Sequence, residues 1–92
     1  MQRLFDQKEI GTEIAYVMVN CESGMEPKVM EELGTIDGVK EIMYTFGSYD
    51  IVTKIEASTI DTIREVITLR IRRIDNVRST TTLMCKDTST TH

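Results

Sequence analysis

Few side chains of this 92-residue chain could carry chemistry. Histidine is the usual first choice for a general acid or base, and the single one, His92, is the last residue of a polar tail. Cys21 and Cys85 are too few and too far apart for a metal motif, so no metal site is expected and the preferred reading is two buried thiols. No serine, cysteine or carboxylate sits in a nucleophile motif, so neither a catalytic residue nor a cofactor is expected. Arg70, Arg72 and Arg73 crowd together, but the chain carries a formal net charge of -4. Nucleic-acid affinity draws on lysines and arginines that release counterions, so those arginines read first as a solvated helix face. The chain does not read as an enzyme. The alternative class is a cofactor-independent oxygenase or isomerase built on a dimeric sheet.

These residues must be positioned by a single small domain. Hydrophobic residues make up 40% and charged residues 28%, too apolar for a disordered chain. A domain of this length hides only about 60 to 65% of the surface that its unfolded chain exposes, so it gains from a partner. No apolar run approaches the roughly 20 residues that span a bilayer, and Met1 to Thr12 mixes Arg3, Asp6, Lys8 and Glu9. The expected setting is the cytoplasm, with no membrane contact.

Ile14 to Cys21 is a buried strand by its run of apolar and β-prone residues. A helix follows, with Gly24 as the favoured cap because Pro27 then sits where no backbone bond is owed. Met25, Val29, Met30 and Leu33 recur at helical spacing before Gly34. Val39 to Phe46 and Asp50 to Ala57 read as strands joined by a hairpin loop at Gly47-Ser48-Tyr49. Ser58 or Thr59 can cap a second helix whose inward stripe is Ile60, Ile63, Ile67, Ile71 and Ile74. Val77 to Cys85 is the last strand, with Arg78, Thr80 and Thr82 alternating against Val77, Ser79, Thr81 and Leu83, and with Thr80 and Thr82 directed outward.

An internal echo supports this β-α-β-β-α-β order. Ile36-Asp37-Gly38-Val39-Lys40 resembles Ile74-Asp75-Asn76-Val77-Arg78, and Gly38 and Asn76 are the residue types that tolerate positive φ. Two similar halves with right-handed crossovers give an α+β, ferredoxin-like fold: a four-stranded antiparallel sheet with both helices on one face. Cys21 and Cys85 would then lie at opposite edges of the sheet, unbonded. In the first strand Ala15, Val17 and Val19 point one way and Tyr16 and Met18 the other, so the uncovered face is apolar as well. That predicts a homodimer packed sheet to sheet, as a sandwich or barrel. The third strand, Asp50-Ile51-Val52-Thr53-Lys54-Ile55-Glu56, carries no aromatic side chain for base stacking, which argues against RNA.

The segments Gly47-Ser48-Tyr49-Asp50-Ile51-Val52-Thr53-Lys54, Ile74 to Thr82, and Ala15 to Asn20 closely resemble the effector-binding domain of Lrp/AsnC-type regulators, the domain named for regulation of amino-acid metabolism. The resemblance covers residues 14–86, leaving 1–13 as an N-terminal arm, with Leu4, Phe5 and Ile10 as candidate anchors, and 87–92 as a tail. It implies a domain that dimerises through its sheets, assembles into octamers or decamers, and binds an amino acid or related metabolite between dimers. The implied ligand-binding residues are Gly47, Ser48, Tyr49, Asp50, Thr80 and Thr82. Gly47 permits close backbone approach, Tyr49 offers an aromatic wall, Asp50 can pair with an α-ammonium group, and Thr80 or Thr82 can offer hydroxyls. The regulators carry a helix-turn-helix ahead of this domain, for which residues 1–13 are too short. The expectation is a form without direct DNA binding that co-assembles with a full-length Lrp/AsnC-type regulator.

Overall fold

A computed structural model describes residues 12–86. The residues of the arm before Thr12, the tail 87–92 and His92 lie outside them. Strands β1 (Glu13–Cys21), β2 (Val39–Tyr44), β3 (Ile51–Ala57) and β4 (Val77–Met84) form one sheet in the order β2-β3-β1-β4, with every neighbouring pair antiparallel. Helices α1 (Glu26–Leu33) and α2 (Ile60–Val66) cover one face, giving the ferredoxin-like topology expected.

The core is the set of side chains trapped between that face and the helices. Ala15, Val17 and Val19 from β1 and Ile51 and Ile55 from β3 are fully buried against Val29 and Leu33 of α1, Ile63 of α2 and Ile71 just beyond it. Thr53 is the one buried polar residue among those described, and its hydroxyl donates to the carbonyl of Glu41 at 2.8 Å, so its burial leaves no polar group unpaired.

The first helix begins later than expected. Met25 is the N-cap, with no side-chain bond, and Pro27 is at the second helical position. Gly24 instead takes φ +88° in the turn that brings the Met25 N–H to the carbonyl of Glu22. It supplies a backbone conformation rather than a cap. Thr59 caps α2, accepting from the Thr62 N–H at 3.0 Å.

Beyond Val66 the second helix widens into a π-turn, Ile67–Ile71, closed by the Arg72 N–H donating to the carbonyl of Ile67 at 2.9 Å. The isoleucine spacing accounts for it. Ile63, Ile67 and Ile71 are four residues apart, and in an α-helix each such step overshoots a full turn by about 40°. A turn whose bond spans five residues takes up the overshoot and returns Ile71 to the core. Ile74 packs at the core edge, whereas Ile60, expected in the stripe, is 40% exposed in the first turn of the helix.

The two echo segments adopt matching structures. Gly38 has φ +97° and Asn76 φ +77°, and their carbonyls accept from Glu56 and Glu22 N–H respectively, both at 2.8 Å. After each turn one strand carries an extra residue, Lys40 in β2 and Arg78 in β4, where the pairing register shifts. This bulge corrects the reading of the last strand. Val77 opposes Cys21, while Thr82 and Thr80 oppose Val17 and Val19, so all three share the helix-covered face and the two threonines do not point outward. Arg78 interrupts the alternation that would have separated them.

Candidate functional site

Hairpin tip Thr45 to Asp50 connects β2 and β3, and it is longer than the three-residue loop expected because β2 ends at Tyr44. Its closure is local. The Thr45 N–H donates to the carbonyl of Asp50 at 2.9 Å, and the Thr45 hydroxyl donates to that of Tyr49 at 2.8 Å. Gly47 has φ +111°, and a Cβ added there would meet nothing within 4 Å. Within one subunit glycine is thus required by the backbone conformation and not by close packing. Phe46, expected within the strand, is 94% exposed and lies against Tyr44 with ring centroids 6.1 Å apart. Ser48 is exposed, and Tyr49 and Asp50 are half-buried.

Asp50 ties the tip to the rest of the sheet. Its N–H donates to the carbonyl of Val19 at 3.0 Å, and its Oδ2 accepts the Cys21 N–H at 2.9 Å. The carboxylate therefore satisfies the last backbone donor of β1. One of its oxygens is committed to the fold before any ligand arrives. The Cys21 thiol and the carboxylates of Glu26 and Asp50 come within 4.8 Å of one another. Burial, with the negative charges of Asp50, Glu26 and Glu22 added, pushes the Cys21 thiol above its ordinary pKa and keeps it protonated. Both cysteines are free, as expected; Cys21 is buried but Cys85 is exposed, correcting the reading of two buried thiols. Cys85 donates its N–H to the carbonyl of Ile14, at the opposite end of the β1–β4 pair from Cys21.

Thr80 and Thr82 are not part of the hairpin-tip cluster. They line a groove of about 440 Å³ between β4 and the second helix, with Arg64, Thr68 and Arg72 on its helix wall and Ile67 and Met84 between them. None of the loop residues 47 to 50 contributes to it. The six residues implied by the resemblance are thus divided between two places. Sequence reasoning missed the groove's helix wall: it takes Arg72 as part of a solvated face and does not single out Arg64 or Thr68. The available signal was the spacing of Arg64, Thr68 and Arg72, in step with Ile63, Ile67 and Ile71 and one residue beyond each.

The uncovered sheet face has the apolar character expected. Tyr16 and Met18 stand opposite Lys54 and Val52 on β3 and Leu83 and Thr81 on β4, and Met43 of β2 continues the row beyond Val52. Leu83 is 57% and Met43 44% exposed. The charges on this face pair with one another: Lys54 Nζ lies 3.4 Å from Glu56 and 3.9 Å from Glu41. A largely apolar face of four strands thus stands without a helix.

An open-faced ferredoxin-like sheet with candidate groups at a hairpin tip and along an edge strand suits a ligand-binding domain. The Lrp/AsnC ligand binding domain matches residues 14–91, and the chain belongs to that family. It is 30% identical over 83 residues to the regulatory protein AsnC of Haemophilus influenzae, covering 88% of this chain and 55% of that protein. A homocitrate synthase of Sulfurisphaera tokodaii is 39% identical over 69 residues, 74% of this chain but 15% of the enzyme. The crystal structure of FFRP-DM1 superimposes with a TM-score of 0.77 at 30% identity, covering 80% of this chain and 99% of that one. The chain spans about half the length of the AsnC regulators it matches. The family is one of ligand-binding regulatory domains, in agreement with the non-enzymatic reading. No helix of the described residues is long and apolar enough to cross a membrane.

Proposed function

We propose that the chain is a metabolite-sensing regulatory domain that works by assembly in the cytoplasm. Two copies pack sheet to sheet through Tyr16, Met18, Val52, Met43 and Leu83, and dimers associate further into octamers or decamers. An amino acid or related metabolite binds at the Gly47-Ser48-Tyr49-Asp50 tip, where the remaining oxygen of Asp50 meets the α-ammonium group. The observation that carries this reading is the family match combined with an apolar sheet face that one subunit leaves uncovered. Ligand binding at a junction between copies shifts assembly by its difference in affinity between the associated and free states.

The receiver of the signal is a full-length Lrp/AsnC-type regulator sharing the same interfaces. A second reading is favoured by the homocitrate synthase match: the same domain serves an enzyme, and the receiver is then an enzyme instead of a DNA-bound regulator. The test is thermal unfolding of the purified protein with each of the twenty amino acids at millimolar concentration, with mass by light scattering in the same buffers. One amino acid that raises the midpoint and changes the mass, both effects disappearing in Tyr49→Ala, supports the reading. A monomer at micromolar concentration that no amino acid stabilises refutes it.

A further inference from the structure

The groove between β4 and the second helix has a composition out of keeping with the chain around it. The protein carries 15 acidic residues against 11 basic ones, yet the groove is lined by two arginines, three threonines and two apolar side chains, with no acidic residue among them. The ion pair on the helix wall is weak. Arg64 lies 3.7 Å from Asp61, and both side chains are mostly in solvent, so the guanidinium can turn to another anion at little cost.

The π-turn gives the wall its alignment. The geometry that returns Ile71 to the core acts on the adjacent row too, so Arg64, Thr68 and Arg72 remain in line facing the edge strand. Across the groove the two threonines alternate on β4, which places their hydroxyls on the same side of the strand. A guanidinium fork at each end of the helix wall, the Thr80 and Thr82 hydroxyls on the strand wall and the apolar surfaces of Ile67 and Met84 between them suit a small organic anion, while the Thr68 hydroxyl donates to the carbonyl of Arg64 at 2.9 Å. Its charged group would meet the arginines while a short carbon chain covers the floor.

We infer that this groove is a second binding site, separate from the hairpin tip, for a small carboxylate- or phosphate-bearing metabolite. The inference rests on the reading of the chain as a ligand-binding domain, but it requires neither Asp50 nor the ring assembly. Arg72 supplies the main charge, Arg64 turns from Asp61 to supply the second, and Thr80 and Thr82 fix the orientation of the anionic oxygens.

The experiment is an amide-resolved NMR titration of the full chain at constant ionic strength with succinate, inorganic phosphate and neutral L-methionine. Succinate or phosphate is expected to shift the amides of Thr68, Thr80 and Thr82 saturably, the choice between them distinguishing a dicarboxylate from a phosphate ligand. Arg72→Gln should weaken binding about ten- to a hundredfold, the loss of a charge-assisted contact, and Thr80→Val should weaken it less. Tyr49→Ala should leave it unchanged. Shifts that spread over the arginine-rich surface and are reproduced by chloride would overturn the inference. So would anion shifts centred on residues 47 to 50, or no saturable shift with either anion. If L-methionine or another amino acid acts at the hairpin tip while neither anion binds the groove, the inference fails and the proposed function stands. If an anion binds the groove while the tip responds to nothing, the reverse holds.

Discussion

Replacing Asp50 by alanine and by asparagine separates what this residue does for the fold from what it offers a ligand. Its Oδ2 accepts the Cys21 N–H at 2.9 Å across 29 residues of sequence, where β1 ends. Alanine removes the acceptor and leaves a part-buried amide without its partner, which costs about 1–3 kcal/mol. Asparagine keeps an oxygen in place and loses only the charge, a difference between a charged and a neutral bond of about 1 kcal/mol. In a domain of this size each kcal/mol moves the thermal midpoint by about 4–8 °C. Asp50→Asn should therefore melt about 4–8 °C below the parent, and Asp50→Ala up to about 24 °C below it.

The thiol beside it gives a second readout. The Asp50 charge helps hold the Cys21 thiol protonated, so Asp50→Asn should bring its pKa back toward the ordinary cysteine value. Ultraviolet thiolate absorbance in a Cys85→Ser background measures this without interference from the exposed cysteine. Equal midpoints for the two variants, with an unchanged Cys21 titration, would refute the reasoning that the carboxylate closes β1. If both variants fold and only the parent answers an amino acid, the ammonium-binding role is supported, with asparagine as the cleaner evidence.

Other expectations follow from the same geometry. Because Cys21 holds its proton more tightly in the folded chain than in the unfolded one, stability from this group is full below the unfolded thiol pKa and falls as pH rises through it. Thermal melts from pH 7 to 10.5 should show that decline, and Cys21→Ala should flatten it. Gly38→Ala places a Cβ 3.1 Å from the Glu56 carbonyl oxygen at φ +97° and should cost about 2 kcal/mol by chemical denaturation, whereas Asn76→Gly should cost a few tenths or less. Met18→Lys on the open sheet face should lower the mass seen by light scattering to that of a monomer while leaving the far-ultraviolet dichroism intact. Thr59→Ala removes the acceptor for the Thr62 N–H and should cost about 1 kcal/mol.

Where the chain's own periodicity was unbroken, the fold could be read in advance. Ala15, Val17 and Val19 alternate with Tyr16 and Met18 through a regular stretch of β1, and the two faces came out as that alternation requires. The echo of Ile36 to Lys40 in Ile74 to Arg78 located both helix-to-strand turns because positive φ restricts residue type so strongly. The same echo concealed an error. A bulge follows each turn, and no residue type announces one, so the face assigned to Thr80 and Thr82 came out wrong while Val77 kept its inward place. The π-turn was equally invisible to a helical template, although isoleucines at intervals of four require some such adjustment.

That error has a functional consequence. With Thr80 and Thr82 on the uncovered face, all six implied residues could have met a ligand held between sheets or dimers. With the bulge at Arg78 they turn toward the helix side and meet Arg64 and Arg72 instead, away from the hairpin tip. Within one subunit, a single inserted residue therefore places the residues implied for one site in two chemically different settings. The tip offers a carboxylate and suits a cationic ammonium group; the groove offers guanidinium groups and suits an anion. Because the bulge exists to bring Val77 back to the core, the character of the groove is bound to the stability of the fold. Changes that remove the bulge should unsettle Val77 and the groove together, while changes at the tip leave both in place.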